Sequence, residues 1–270
     1  MGETKNHSPE RWVNDGVNVP VKLGLYEISA ESKERGCIPS NIGVSRRVGN
    51  RVFKLGTTVA DVAVGLLVCR DDAFTDVTQT ASILSAAGVA GDTDVVLTHA
   101  SLLDIYQDSV TGNGKDRLRG GFLNVALGTG LSYMYGIKGN TAMASDLVTL
   151  NLYDPLQTAV PVASTVEVMG NIYHAVNIAA TTAEAPTGAI LVASTAGTDT
   201  TEYYQWVQTW GPCTILAGAA IAVGQQLALD DTTAGRVYPS ADNVENDIGY
   251  AMKAAGDNDS ALVFLQICPL

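Results

Sequence analysis

Apolar and polar positions alternate over short stretches along most of this chain, and clusters of turn residues interrupt them about every ten residues. Arg51-Val52-Phe53-Lys54-Leu55, Asp94-Val95-Val96-Leu97-Thr98 and Leu147-Val148-Thr149-Leu150-Asn151-Leu152 each read as a strand with one buried face. Residues 62–69 form a near-continuous apolar run broken by Gly65, and the stretches 121–127, 133–137, 160–169, 171–178 and 188–193 extend the strand pattern. Residues 78–88 are ambiguous, with a short helix before Gly88 as one reading. Long helical periods do not alternate with these strands, so a parallel α/β sheet is disfavoured and the fold class is all-β.

The first fifty residues differ. Pro9, Pro20 and Pro39, with Gly16, Gly24, Gly36, Gly43 and Gly49, punctuate them, and neither a helical nor an alternating pattern persists. Val17-Asn18-Val19 and Leu23-Gly24-Leu25-Tyr26 are candidate short strands. A patternless segment of this length inside a compact domain is uncommon, so residues 1–50 read as an extended arm held by partners.

One internal similarity stands out. Arg51-Val52-Phe53-Lys54-Leu55-Gly56 precedes Val62-Ala63-Val64-Gly65, and Trp206-Val207-Gln208-Thr209-Trp210-Gly211 precedes Ile221-Ala222-Val223-Gly224. A glycine turn leading into an apolar strand fits both copies, which implies one β unit used twice.

Composition narrows the classes. Hydrophobic residues make up 46% and charged residues 16% of 270, which leaves ample apolar surface to bury and excludes disorder. The net charge of −12 argues against nucleic-acid binding. That charge is divided unevenly: residues 1–54 carry nine basic and six acidic side chains, whereas residues 55–270 carry seven and twenty-two. A mildly basic arm thus precedes a strongly acidic body and suits docking on an acidic surface, such as a neighbouring copy. The opening residues lack a secretory pattern, and the longest weakly polar stretch, 213–224, is too short to span a bilayer, so no membrane partner is expected. Cys37, Cys69, Cys213 and Cys268 are scattered without metal-ligand spacing and read as free thiols of a chain assembled in a cytoplasm.

Candidate chemistry is sparse. His7, His99 and His174 are far apart and outside any zinc motif, and His174 reads as a half-buried strand residue. Gly112-Asn113-Gly114-Lys115-Asp116 lacks the hydroxyl residue and first glycine of a phosphate loop, and Gly128-Thr129-Gly130 leads into Tyr133 where a dinucleotide loop needs glycine. Both read as strand-connecting turns. Asp92-Thr93-Asp94 and Asp257-Asn258-Asp259 lack calcium-loop spacing. Trp206 and Trp210 are either interface and core anchors or a sugar-stacking platform. No catalytic, cofactor or metal site is expected.

Tyr203-Tyr204-Gln205-Trp206-Val207-Gln208-Thr209-Trp210-Gly211-Pro212, followed by Ile221-Ala222-Val223-Gly224, Ala234-Gly235-Arg236-Val237, Ile248-Gly249-Tyr250-Ala251 and Leu262-Val263-Phe264-Leu265, resembles the cement or decoration proteins of tailed-bacteriophage heads. The resemblance is strongest over residues 200–267 and extends back toward Arg51. It implies an all-β body and a small C-terminal β-barrel of β-tulip type. It also implies no enzyme activity or cofactor, a homo-oligomer (commonly a trimer), and the major capsid protein as partner on the virion surface. The resulting expectation is an arm over 1–50, a β-sandwich or barrel body over 51–200 and a barrel over 201–270 with pairing to 51–70. Arg11, Trp12, Lys22, Tyr26, Lys33, Arg35, Arg46 and Arg47 are the expected capsid or subunit contacts. Trp206, Trp210, Gly211, Gly224, Gly235 and Gly249 are the expected structural anchors. The alternative is a carbohydrate-binding or tail-associated adhesion protein of the virion surface.

Overall fold

The computed structural model describes residues 12–13, 21–30, 37, 41–58, 60–70, 77–81, 84–98, 115–142, 144, 147–180, 185–194, 203–240 and 247–268. Among them every regular element of more than one residue is a strand, in agreement with the all-β expectation. Asp94–Thr98 and Leu147–Leu152 span the stretches with the clearest alternation. The ambiguous stretch is also β: Val77–Ala81 is a strand and Leu84 bridges Leu97, so no helix precedes Gly88 among the described residues.

Two sheets share the chain. The larger contains β1 (Trp12–Val13), β2 (Ser29–Ala30), β3 (Ser45–Val48), β4 (Arg51–Thr58) and β5 (Leu67–Arg70) from the beginning of the sequence. From the end it takes β12 (Val176–Ile178), β13 (Gly188–Ile190), β14 (Tyr203–Leu216), β15 (Gln226–Leu229), β16 (Val237–Pro239), β17 (Gly249–Ala251) and β18 (Ser260–Gln266). The smaller sheet is antiparallel and lies between them in sequence: β6 (Val77–Ala81), β7 (Asp94–Thr98), β8 (Phe122–Leu127), β9 (Met134–Asn140), β10 (Leu147–Leu152) and β11 (Thr165–Met169). Sheet pairing therefore groups the two ends of the chain and sets 77–169 apart.

Each sheet curls into closed rings. In the smaller, β6 and β7 are the ends of the path, and the Leu84–Leu97 bridge just after β6 joins them around a core that includes Leu97, Leu123, Ile137, Leu150 and Val166. This is the inserted barrel. The larger sheet holds two rings that share β14. In the first, β4, β14, β13, β5 and β12 pair in turn, and the parallel Thr58–Val176 pair closes the circle. In the second, β14, β18, β17, β15 and β16 pair in turn, closed by the parallel Ala217–Val237 bridge.

These two rings have one register. Arg70 faces Val176 where Leu229 faces Val237, and Val68 faces Gly188 where Leu227 faces Gly249. Val62 bridges Ser194 where Ile221 bridges Ala255. Gly65 donates its N–H to the Ile190 carbonyl at 3.0 Å, and Gly224 does the same to Ala251 at 2.8 Å. Both glycines have positive φ (78° and 75°), which a residue with a Cβ adopts only under strain. The inserted barrel repeats this corner: Gly88 bridges Val160, and Gly91 donates to the Leu156 carbonyl at 2.8 Å.

The Val-Ala-Val-Gly half of the sequence similarity thus marks true counterparts, but the other half does not. Counting back from Thr58 and Ala217 sets Arg51 against Trp210, not Trp206. Trp206 is instead the direct cross-strand neighbour of Leu55. Val and Gly recur on both strands because each fills a ring interior or a tight corner, so composition alone produced that part of the match.

The described residues between 21 and 48 do not form an arm standing off the body. Val21, Leu23, Cys37 and Ile42 are buried with Phe53, Leu55, Tyr173, Tyr204 and Trp206 in one cluster on the outer side of the first barrel. The Trp206 indole N–H donates to the Leu23 carbonyl at 2.9 Å. Burying apolar side chains of this size contributes roughly 1.5–3 kcal/mol each, so the exposed face of β4 and β14 recruits the segment as its cover. The stretch 23–26 is a turn rather than a strand, and 17–19 lies outside the described residues.

Candidate binding groove between the barrels

The first and inserted barrels meet at Asn171. Its side-chain NH2 donates to the carbonyls of Ile42 (3.0 Å) and Arg119 (3.4 Å), and its side-chain oxygen accepts from the Tyr173 N–H (3.0 Å). One amide therefore ties the N-terminal cover, the inserted barrel and the first barrel. Gly43 and Gly120 make room for it: a Cβ on either would lie 2.7 or 2.6 Å from the Asn171 nitrogen. Close by, Arg117 Nη1 and His174 Nε2 are 3.0 Å apart, both residues buried. A guanidinium only donates, so Nε2 is the acceptor and the ring proton sits on Nδ1. His174 thus serves as a junction residue: it lies in a bend before β12 rather than in a strand, and is buried rather than half-buried.

Above Asn171 lies a groove of about 290 Å³. Its apolar walls include Ile42, Val44, Phe122 and Ile172. Tyr153 also lines it, with its ring against Gly136, the cross-strand partner of Phe122. Lys54, Arg119, Tyr173 and Cys268 supply the polar lining, and no carboxylate is among the described lining residues. Lys54 occupies the register position of Cys213 in the second barrel, and its ammonium donates to Ser45 Oγ. Burial and then the neighbouring Cys268 push the Tyr173 phenol far above its ordinary range, so it stays neutral.

The residues expected as contacts and anchors are distributed differently. Arg11, Lys33 and Arg35 lie outside the described residues. Trp12 lies in β1 opposite Arg46 of β3. Arg46 turns inward: Nη1 donates to the Leu23 carbonyl at 2.9 Å, and the guanidinium lies 5.6 Å from the centre of the Trp206 ring. Lys22, Tyr26 and Arg47 are exposed, with Tyr26 at 65%. Trp206 is only 1% exposed and its N–H is bonded, so it cannot stack on a sugar. Trp210, beyond a β-bulge, packs edge-on against Phe264, which stacks on Tyr250.

Gly211 lies where β14 passes from one barrel to the other; a Cβ there would be 2.3 Å from the Asn50 carbonyl. Gly224 makes the corner already described, and Gly249 lies in β17. Gly235 links the barrels by accepting from the Leu67 N–H and donating to the Ala179 carbonyl, both at 2.7 Å.

Of the groove, sequence reasoning identified nothing as a site. Lys54, Arg119 and Asn171 come from three distant segments, and the only local signal is a lysine inside the alternating run of β4. Residues 128–133 do connect the paired strands β8 and β9, as a strand-connecting turn should, while 112–114 lie outside the described residues. None of the four cysteines is in a disulfide. Comparisons with protein-family models, curated proteins and solved structures give no match.

Proposed function

We propose that this chain is a non-enzymatic virion structural protein that binds the outer surface of a bacteriophage capsid lattice and cements neighbouring capsomers as an oligomer, in keeping with a homotrimer. The observation that carries the reading is the second barrel. The stretch with the strongest resemblance to phage cement proteins, about 200–267, contains one complete closed ring, and the same frame precedes it in the first barrel. Repeated rigid barrels suit adhesion, because several modest contacts per oligomer add through effective concentration. The major capsid protein is the proposed partner. Exposed Lys22, Tyr26 and Arg47, in the mildly basic first segment of an acidic chain, are the proposed contacts among the described residues.

The test is addition of the full chain to undecorated capsids, read by co-sedimentation and by imaging of copy number per lattice point. The expected result is saturable, lattice-periodic density that falls at least tenfold in occupancy at limiting concentration for the triple variant Lys22→Glu, Tyr26→Ser, Arg47→Glu. Absence of periodic density with the unaltered chain overturns the cement reading. Unchanged occupancy by a folded triple variant overturns the contact assignment.

A further inference from the structure

We propose that the groove above Asn171 binds an apolar monocarboxylate, its carboxylate held by Lys54 and Arg119 and its hydrocarbon body lying on Phe122, Tyr153 and Ile172. The charge of the lining points to an anion. Two cationic side chains enter one half-buried cleft of a protein with a net charge of −12, and no described lining residue carries a carboxylate to neutralise them. Neither cation is in an ion pair among the described residues, and Lys54 has the Ser45 hydroxyl as its hydrogen-bond partner. Walls of low polarity strengthen the attraction of such cations for an incoming anion.

The rest of the lining selects the kind of anion. Most of the wall is apolar, and Phe122, Tyr153 and Ile172 offer a body site that inorganic phosphate would leave unfilled. Tyr153 and Ile172 are 51% and 40% exposed, so this surface is available. The volume of about 290 Å³ lies near the lower end for small-molecule clefts and suits one ring or a short chain. The Arg119 guanidinium can donate two parallel hydrogen bonds to one carboxylate and the Lys54 ammonium adds a further donor, while the mostly apolar remainder of the wall does not favour a second anionic group. Neutral Tyr173 adds a further polar wall without opposing charge. Asn171 is fully engaged below and acts as the floor.

The probe is 3-phenylpropionate, titrated into the full chain and followed by isothermal calorimetry and by NMR shifts of amides around the groove. Binding is expected with a dissociation constant on the order of 1 mM, as suits a ligand of this size. Uncharged 3-phenylpropionamide, inorganic phosphate and acetate should each bind at least tenfold more weakly. Lys54→Gln and Arg119→Gln should each weaken 3-phenylpropionate at least fivefold while leaving the unfolding transition of the chain in place. Equal binding of the acid and its amide, or tight binding of phosphate alone, overturns the proposal even if neither variant folds. So does full retention of binding by both folded variants. These outcomes are independent of capsid binding, so the two readings stand or fall separately.

Discussion

The first and second barrels are built on one hydrogen-bonded frame and differ in what covers them. At matched positions the outer side of the first barrel carries Phe53, Leu55, Tyr204 and Trp206, whereas the second carries Pro212, Thr214, Ser260 and Leu262. The first set is buried beneath residues of the N-terminal segment; Thr214, Ser260 and Leu262 are open to solvent. Inside, the difference is reversed. Thr58 and Gln205 meet in the first barrel through a 3.2 Å hydrogen bond, where the second has Ala217 and Ala261. A backbone frame can therefore be kept while its apolar side chains are moved from the interior to an outer face, provided that another segment of chain is supplied to cover them.

The largest effect should come from that outer face. Trp206→Ala should cost roughly 3–5 kcal/mol in urea unfolding, and Leu262→Ala, at the matching place, less than about 1 kcal/mol. Equal costs would break the comparison. The interior pair gives a second measure: Thr58→Ala or Gln205→Ala alone should cost about 2 kcal/mol, because each leaves a buried polar partner behind. The double variant, which recreates the alanine pair of the second barrel, should cost less than the two single changes added, a coupling that a double-mutant cycle reads directly.

Ionisable groups differ at a third matched position. Burial pushes the Cys213 thiol up to about 12 from an ordinary 9.0, against a smaller opposing influence of Arg51. Above pH 9 the unfolded chain releases this proton and the folded chain does not. Its contribution is thus complete below pH 9 and is lost as pH rises toward 12, at about 1.4 kcal/mol per pH unit. Cys213→Ala should flatten this alkaline limb relative to the unaltered chain in unfolding measurements between pH 8 and 10.5; an unchanged slope would refute the assignment. The smallest effect belongs to the shared corners. Gly65→Ala and Gly224→Ala should each cost about 1 kcal/mol, equal within about 0.5 kcal/mol, because both replace the same positive-φ turn. A large inequality would show that the frames are not energetically alike.

How much of this could be read from the sequence depended on how local the cause was. Strict alternation in Leu147–Leu152 is set by one buried face, and the strand is where the pattern places it. The Val62–Gly65 and Ile221–Gly224 corners were visible because each turn is made by four adjacent residues. Nesting was not visible: β5 finds β12 across the whole inserted barrel, and no local pattern encodes a partner so distant. Val21, Leu23 and Ile42 looked patternless because irregular backbone lays them on a surface whose shape is set by Trp206 and Tyr204, far along the chain. The groove was hidden for the same reason, being assembled around Asn171 from segments that meet only after folding.

The shared strand also imposes a schedule. During synthesis β4 and β5 emerge first, but their ring cannot close until β14 follows, after all of 77–169 has been made. The inserted barrel, whose strands are contiguous in the chain, has its partners first and can close while the ribosome is still translating the rest. Completion of β14 then closes the first ring and opens the template for the last one. The edge of β4 that pairs with β14 thus stays open until last, which makes the interval before residue 203 is translated the period in which this chain is most exposed to aggregation.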